Sequence, residues 1–339
     1  MLRHLGAAGR WDLTLVCRTD SAVDRLAAEA AEVCAVERID VIRPVELLRL
    51  RRLVRDSDAV HLNLAFPSGK YQLAAALVSE LARRPLVVTH HLALDVPLRW
   101  ALFMRRLGRA ARRHIVLTAE QRRYLIDRYA YPPERIAVIH NGVDPAVFKP
   151  PADGRPGTDD PTCISVARLS PQKGLDVLLD AIGIVRASMP RVRLRLIGEG
   201  ALRDQLLAQA GALGLREAFV LEGGLGRAEV AARLAEADVF ALPSRYEGSP
   251  LALMEAMASG LACVATDVSG VRELIPDGDH GRVVPVGDAR AMAAAIAELL
   301  GDADLRAAIG RRARQAVLDG FTIERSMRET EAVLAEAVG

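Results

Sequence analysis

The sequence predicts an α/β protein built from two Rossmann-like domains in tandem, each around a parallel sheet. Three observations carry that prediction. Short apolar runs alternate with helical segments along most of the chain, the order that generates parallel sheets. The runs RHIVLTA (113–119) and RIAVIHNGVD (135–144) are continuously apolar, as strands covered on both faces are. The alternation breaks once, at KPPADGRPGTDDP (149–161), where dense Pro, Gly and Asp without periodicity mark a linker. A length of 339 residues also suits two domains better than one.

The first strand is DLTLVCR (12–18). Ahead of it, LRHLGAAGR reads as the last turn of a helix closed by Gly9, so the chain reads as starting within its fold. Helices follow near 22–34 and 45–55, then the strand AVHLNLA (59–65), a helix at 69–83 and the strand PLVVTHH (85–91). Beyond the linker come TCISVAR (162–168), a helix at 174–188, VRLRLIG (192–198), a helix at 201–213, AFVLEGG (218–224), a helix at 227–236 and VFALPS (239–244). A helix at 250–259 leads to ACVATD (262–267) and GRVVP (281–285), and helices near 288–300, 303–319 and 322–337 close the chain. The domains therefore read as 1–149 and 162–320, with a linker at 150–161 and a closing helical segment at 321–339.

The formal net charge of +2 is unevenly spread. Residues 1–150 hold 24 Lys/Arg against 16 Asp/Glu, and the remainder 21 against 27. A basic front half is either a differently solvated surface or one that meets an anionic lipid or substrate. The stretch Leu98 to His114 sharpens that choice. As a helix it sets Trp100, Phe103, Met104, Leu107 and Ala111 on one stripe and Arg99, Arg105, Arg106, Arg109, Arg112 and Arg113 opposite. Such a helix packs its stripe on a sheet or docks on an anionic membrane. Cys17, Cys34, Cys163 and Cys263 are widely spaced with no C-x-x-C, so they read as reduced core thiols of a cytoplasmic protein rather than zinc ligands. No apolar run approaches the roughly 20 residues that span a bilayer. No nucleic-acid partner is expected.

The segment SRYEGSPLALMEAMASG (244–260) carries the chemistry. Ser249 and Pro250 read as the N-cap and first-turn pair of a helix that is apolar from Leu251 to Ala258 except at Glu255. A helix apolar on every side is buried, and an unpartnered buried carboxylate is costly, so something polar must face Glu255. Glu247 follows the strand VFALPS, and Gly248, Ser249 and Pro250 then open a helix whose free N–H groups form an anion site. VARLSPQKG (166–174) adds Arg168 at a strand end and Lys173 just before a helix. Taken singly, Glu255 reads as a buried acid paired with a nearby arginine or backbone group, and the loop as solvated. Together with the second glycine turn TDVSGVREL (266–274) they read as a crevice that holds a diphosphate without metal.

With Glu247 and Glu255 in E-x7-E spacing, and with VARLSPQKG, LIGEG and HNGVD, the chain resembles the retaining GT-B glycosyltransferases of family four. The resemblance is strong from about residue 113 onward and weaker before. It implies two Rossmann-like domains facing each other across a cleft, with the C-terminal helix crossing back to the first domain. It also implies that Arg168 and Lys173 grip the donor diphosphate, that Glu247 lies by the donor sugar and that Glu255 hydrogen-bonds the ribose. The backbone N–H groups of the stretch Ser249 to Leu251, those of Ser249 and Leu251, would touch the phosphates, with Gly248 and Pro250 in the same donor-binding turn. Gly198, Glu199 and Gly200 would lie beside the nucleotide, and His91, or else His90, near the sugar. Glu247, His91, Arg168 and Lys173 are then the catalytic set. The donor is a nucleoside-diphosphate sugar, no cofactor or metal is expected, and the acceptor is a glycan, lipid-linked or small molecule.

Members of that family usually open with a strand and a Gly-rich loop, which do not precede LRHLGAAGR here. A start codon placed too late, a deliberately trimmed chain or a natural short form would account for it. Two rival readings follow: a nucleotide-sugar 2-epimerase of the same architecture, and an inactive nucleotide-binding scaffold.

Overall fold

The computed structural model describes residues 11–17, 28, 30–39, 43–64, 74, 76, 78–80, 83–92, 97–152 and 160–339. The opening LRHLGAAGR, most of the helices expected near 22–34 and 69–83, and the middle of the linker lie outside them. The chain divides into two compact units, Met1–His140 with Glu324–Gly339, and Asn141–Ile323.

In the first unit β1 (Thr14–Cys17) and β2 (Ala35–Arg38) pair in parallel. A second parallel sheet runs in the order β3 (Val60–Leu64), β4 (Leu86–His90), β5 (Arg113–Val116), β6 (Ile136–Val138). The helices with described bounds are α1 (Pro44–Arg55), α2 (Leu98–Ala110) and α3 (Ala119–Tyr129). The last begins where the Thr118 side chain accepts a hydrogen bond from the Gln121 amide, a side-chain N-cap. Met104 and Leu107 of α2, and Leu125 and Tyr129 of α3, are buried with Leu86, Val88 and Val116 of the sheet.

Of the two readings of 98–114, a stripe packed on the sheet or one docked on lipid, the structure shows the packed stripe, on a helix shorter than expected. The helix ends at Ala110 because Ala111 turns extended, and Arg113 and His114 belong to β5. Met104, Leu107 and Ala111 are core residues, so the stripe is covered by protein. Arg105, Arg106, Arg109 and Arg112 face outward, and Arg106 pairs with Glu80 at 2.9 Å.

The second unit holds one parallel sheet of β7 (Thr162–Val166), β8 (Arg193–Ile197), β9 (Phe219–Gly223), β10 (Val239–Leu242), β11 (Ala262–Thr266) and β12 (Arg282–Val284). Its spatial order, β9-β8-β7-β10-β11-β12, is the doubly wound order, in which the winding reverses between the first and fourth strands. Among the described residues, seven helices accompany it: α4 (Leu175–Ser188), α5 (Arg203–Ala212), α6 (Arg227–Glu236), α7 (Leu251–Ala258), α8 (Val271–Leu274), α9 (Ala289–Gly301) and α10 (Ala303–Gly320). Alternation of strand side chains builds two cores. Val239 and Ala241 pack with α4, α5 and α9, while Phe240 and Leu242 pack with α6, α7 and α10.

Residues 141–149, read from the sequence as part of the front domain, pack with the second unit. Val143 bridges Thr322, and Phe148 is fully buried in the core beside α7 and α10. The strand expected over 135–144 accordingly stops at Val138. The closing helix α11 (Ile323–Val338) belongs almost entirely to the first unit. Its Val333, Leu334 and Ala337 are buried against Val87, Ile115 and Ile139, and its Glu336 pairs with Arg113. Among the described residues no helix is long and apolar enough to cross a membrane.

Candidate active site

In a doubly wound sheet, ligands bind outside the carboxyl ends of the strands where the winding reverses. Here that point lies between β7 and β10, and the loops leaving these two strands carry VARLSPQKG and SRYEG. A third loop, after β8, supports the first through backbone. Leu169 N–H donates to Glu199 O at 2.8 Å and Ala167 N–H to Ile197 O at 3.0 Å. The two chains lie so close that a Cβ on Gly198 would meet Ala167 O at 1.9 Å, and one on Gly200 would meet Leu169 O at 2.4 Å. These glycines are required by close approach of backbone. Glu199 between them is exposed and accepts a hydrogen bond from Gly224 N–H at 3.3 Å.

Lys173 and Glu247 meet directly. Lys173 Nζ lies 2.6 Å from Glu247 Oε1, and Ser244 Oγ donates to the same oxygen at 2.6 Å. Ser244 is itself fixed, because Thr266 at the end of β11 donates its hydroxyl to Ser244 O at 2.6 Å. Arg168 is exposed and reaches Gln172 Oε1 at 3.4 Å. The other end of that amide donates to Tyr246 O at 3.0 Å.

The helix α7 begins one residue later than Ser249 and Pro250 suggest. Pro250 is the N-cap and Leu251 the first helical residue, since Leu253 and Met254 donate their amides to Pro250 O. Gly248 and Ser249 thus belong to the turn, and Leu251, 47% exposed, lies at the helix entrance. The first amides of any helix have no carbonyl one turn back, which makes this end an anion-binding point.

Glu255 is half-buried on α7, between Met254 and Ala256 of the core. Its carboxyl group has no hydrogen bond or ion pair to another described residue. Burial pushes its pKa up to about 7, opposed by the positive charge of Arg227. Arg227, at the start of α6, lies over the Phe148 ring at 5.3 Å.

In the first unit His91 follows β4 directly, and its Nε2 lies 3.0 Å from Asn63 Oδ1. Burial lowers its pKa below the ordinary imidazole value. His90 is turned inward, 1% exposed, with Nε2 3.2 Å from His114 Nδ1. Among the described residues no group of three or more His, Cys, Asp or Glu side chains is arranged to hold a metal ion.

Ser244, Gln172 and Arg227 have no place in the sequence reading. Ser244 was legible as the hydroxyl that closes a buried strand one turn from Glu247. Gln172 and Arg227 carry no local signal, because their partners are 74 residues away in the first case and on a separate helix in the second.

The model of the Glycosyl transferases group 1 family matches residues 150–316, and that of Glycosyltransferase Family 4 matches residues 1–147. The D-inositol 3-phosphate glycosyltransferase of Thermobispora bispora is 34% identical over 220 residues, 59% of this chain and 50% of that protein. The phosphatidyl-myo-inositol mannosyltransferase of Mycolicibacterium smegmatis is 32% identical over 281 residues, 81% of this chain and 70% of that protein. The chain spans about half the length of the first curated relatives it matches. Among solved structures, HepE of Anabaena in complex with UDP and glucose superposes with a TM-score of 0.82 at 21% identity, covering 95% of this chain and 91% of that one. At that identity the likeness establishes the fold, which is GT-B. On the two family matches and the mannosyltransferase alignment, the chain belongs to the group 1 glycosyl transferases of glycosyltransferase family 4.

Proposed function

We propose that the protein moves a sugar from a nucleoside-diphosphate sugar to an acceptor hydroxyl, with retention of anomeric configuration and without metal. The observation that carries this reading is the convergence of Lys173, Glu247 and the open end of α7 at the winding reversal of the rear sheet. Cleaving the donor leaves negative charge on the diphosphate and positive charge on the anomeric carbon. Fixed cations and helix amides at the leaving group stabilise that transition state. Arg168 and Lys173 supply the cations, Glu247 addresses the donor sugar and Glu255 the ribose. Gly198, Glu199 and Gly200 flank the nucleotide, and Gly248 to Leu251 form the phosphate turn. In the first unit we assign the histidine role to His91 rather than His90, because His90 is enclosed by the core. The UDP held by HepE supports a nucleoside-diphosphate donor. Retention rests on the family resemblance alone.

We place the reaction in the cytoplasm, where the four cysteines, none of them joined in a disulfide, stay reduced. The acceptor is a glycan, a lipid-linked molecule or a small molecule. The inositol compounds in the names of the two relatives favour the last two. The outward arginines of α2, with Leu102 63% exposed among them, support contact with an anionic membrane. That contact predicts vesicle binding that weakens with salt.

The test is a calorimetric panel of nucleoside diphosphates against the full chain, followed by product analysis with labelled donor in the presence of EDTA. Binding of one base and transfer of label to an acceptor are expected. A free epimerised sugar nucleotide as the product, or binding without turnover on any acceptor, would overturn transfer.

A further inference from the structure

Two groups that the donor-site reading does not use lie on the same two loops. Arg245 follows Ser244 at the end of β10, and Asp176 is in the first turn of α4. Arg245 Nη1 donates to Asp176 Oδ1 at 3.0 Å and Nη2 to Asp176 Oδ2 at 2.6 Å. This parallel fork is the strong, direction-specific form of the arginine–carboxylate pair. The same Nη1 donates to Pro171 O at 2.7 Å. The pair is visible in its charge states as well: Arg245 holds Asp176 below the ordinary carboxylate range, and Asp176 raises Arg245.

The fork is one of several links between the loops. Arg245 N–H donates to Gln172 O at 2.8 Å, and Gln172 Nε2 to Tyr246 O at 3.0 Å. Gly174 stands so close to β10 that a Cβ there would lie 2.2 Å from Pro243 O. Residues 171–176 and 243–246 are therefore pinned to one another, with Lys173 between the pins and Glu247 directly after the last of them. A free four-carbon stem on Lys173 samples many rotamers, and meeting Glu247 at 2.6 Å requires its backbone to stay in place.

We propose that Arg245 is a positioning residue: forked onto Asp176 and bonded to the Pro171 carbonyl, it holds the Lys173 loop against the Glu247 loop in the geometry that grips a diphosphate. Arg245 does not touch the substrate in this proposal. It acts through Lys173 and Glu247, and so rests on the donor-site reading above. Its consequence is that donor affinity depends on an ion pair outside the contact shell, and that the dependence is on the pair rather than on either charge alone.

Four proteins test it: the parent chain, Arg245→Ala, Asp176→Asn, and the exchanged double variant Arg245→Asp/Asp176→Arg. Hydrogen exchange is read first without ligand, on peptides spanning 168–176 and 243–248. Both single variants exchange faster there than the parent and are unchanged across β11. Equal exchange overturns the latch whatever the site binds. Nucleoside-diphosphate affinity is then read by calorimetry, and kcat and KM with donor. Each single variant loses about ten-fold in affinity and raises KM by a similar factor, while the exchanged variant recovers most of the loss, as pairwise coupling requires. Parent-like affinity in the folded single variants, or an exchanged variant no better than they are, also overturns the latch. A parent chain that binds no nucleoside diphosphate rejects the donor-site reading instead, and the exchange data still decide on the latch.

Discussion

Lys173 Nζ lies 2.6 Å from Glu247 Oε1, with side chains only 16% and 7% exposed. At that burial neither charge is well solvated, and each is tolerated because of the other and of Ser244 Oγ on the same oxygen. Removing one partner of such a pair leaves an uncompensated charge and costs about 3–5 kcal/mol, whereas removing both costs less. We therefore expect Lys173→Met to destabilise the protein by about 3 kcal/mol. The double variant Lys173→Met/Glu247→Gln should be the more stable of the two in urea unfolding. Both should lack turnover, which separates the structural cost from the chemical one.

The identity of that cation also matters. Of 45 Lys and Arg residues only three are lysines, at 70, 149 and 173, so position 173 departs from the chain's strong preference for arginine. An ammonium is a compact charge with freely turning donors, while a guanidinium is a planar fork. Lys173 and Ser244 both meet Glu247 at one oxygen, Oε1, a point contact that suits a compact ammonium better than a planar fork. Lys173→Arg is expected to keep the fold and the charge yet lower kcat/KM about 100-fold, which corresponds to roughly 2.7 kcal/mol. Steady-state kinetics with donor varied would show it, and wild-type kcat/KM in this variant would contradict the assignment.

Glu255 gives a pH prediction whose direction is fixed by burial. Its pKa in the folded protein is about 7, against the ordinary 4.5, so the folded state holds that proton more tightly than the unfolded chain does. The resulting stabilisation is complete below about pH 4.5 and is lost as pH rises through about 7. Glu255→Gln removes this dependence. The variant should match the parent near pH 4.5 and exceed it at pH 8, by on the order of 2–3 kcal/mol. Urea unfolding at the two pH values measures it, and an equal difference at both would show that Glu255 is not held protonated by burial.

The contrast between legible and hidden features follows from sequence distance. The strands of the rear sheet were legible because β10 is apolar at every position and β11 at all but its last, Thr266, and Glu255 stood out against an apolar helix. The end of α2 was not legible. Arg112 and Arg113 continue the arginine spacing of the helix, and only the extended backbone of Ala111 breaks it. The helix α3 went unread because its segment AEQRRYLIDRY places few apolar residues among charges. The pair Arg245 and Asp176 is separated by 69 residues, and only the strand order that sets β7 beside β10 brings it together.

The first unit should be the acid-sensitive one. His90 and His114 are buried side by side, and burial lowers His114 to about 4 and His90 well below its ordinary value. His61 is likewise lowered to about 4 by burial. The unfolded chain takes up these protons near 6.5 while the folded unit does not. Stability is therefore full above about 6.5 and is lost as pH falls toward 4. Hydrogen exchange, corrected for its intrinsic pH dependence, should accelerate in β4 and β5 between pH 7 and pH 5 and stay unchanged in β10 and β11. Uniform behaviour of the two units would remove the histidines as the cause.

Two glycines separate steric cost from backbone conformation. Gly198 and Gly214 both have positive φ, at +143° and +69°. A Cβ on Gly198 would sit 1.9 Å from Ala167 O, whereas one on Gly214 would meet nothing within 4 Å. Gly214→Ala should cost about 1 kcal/mol, the strain of an L-residue in the left-handed region. Gly198→Ala must in addition push the β7 loop off the β8 loop, breaking Ala167 N–H to Ile197 O and Leu169 N–H to Glu199 O. We expect at least about 3 kcal/mol from the two lost bonds and the strain combined. The displaced loop carries Arg168 and Lys173, so nucleoside-diphosphate affinity should fall in Gly198→Ala and stay at the parental value in Gly214→Ala. Urea unfolding and calorimetry on both variants decide it: equal destabilisation would mean that the backbone contact between the two loops contributes nothing.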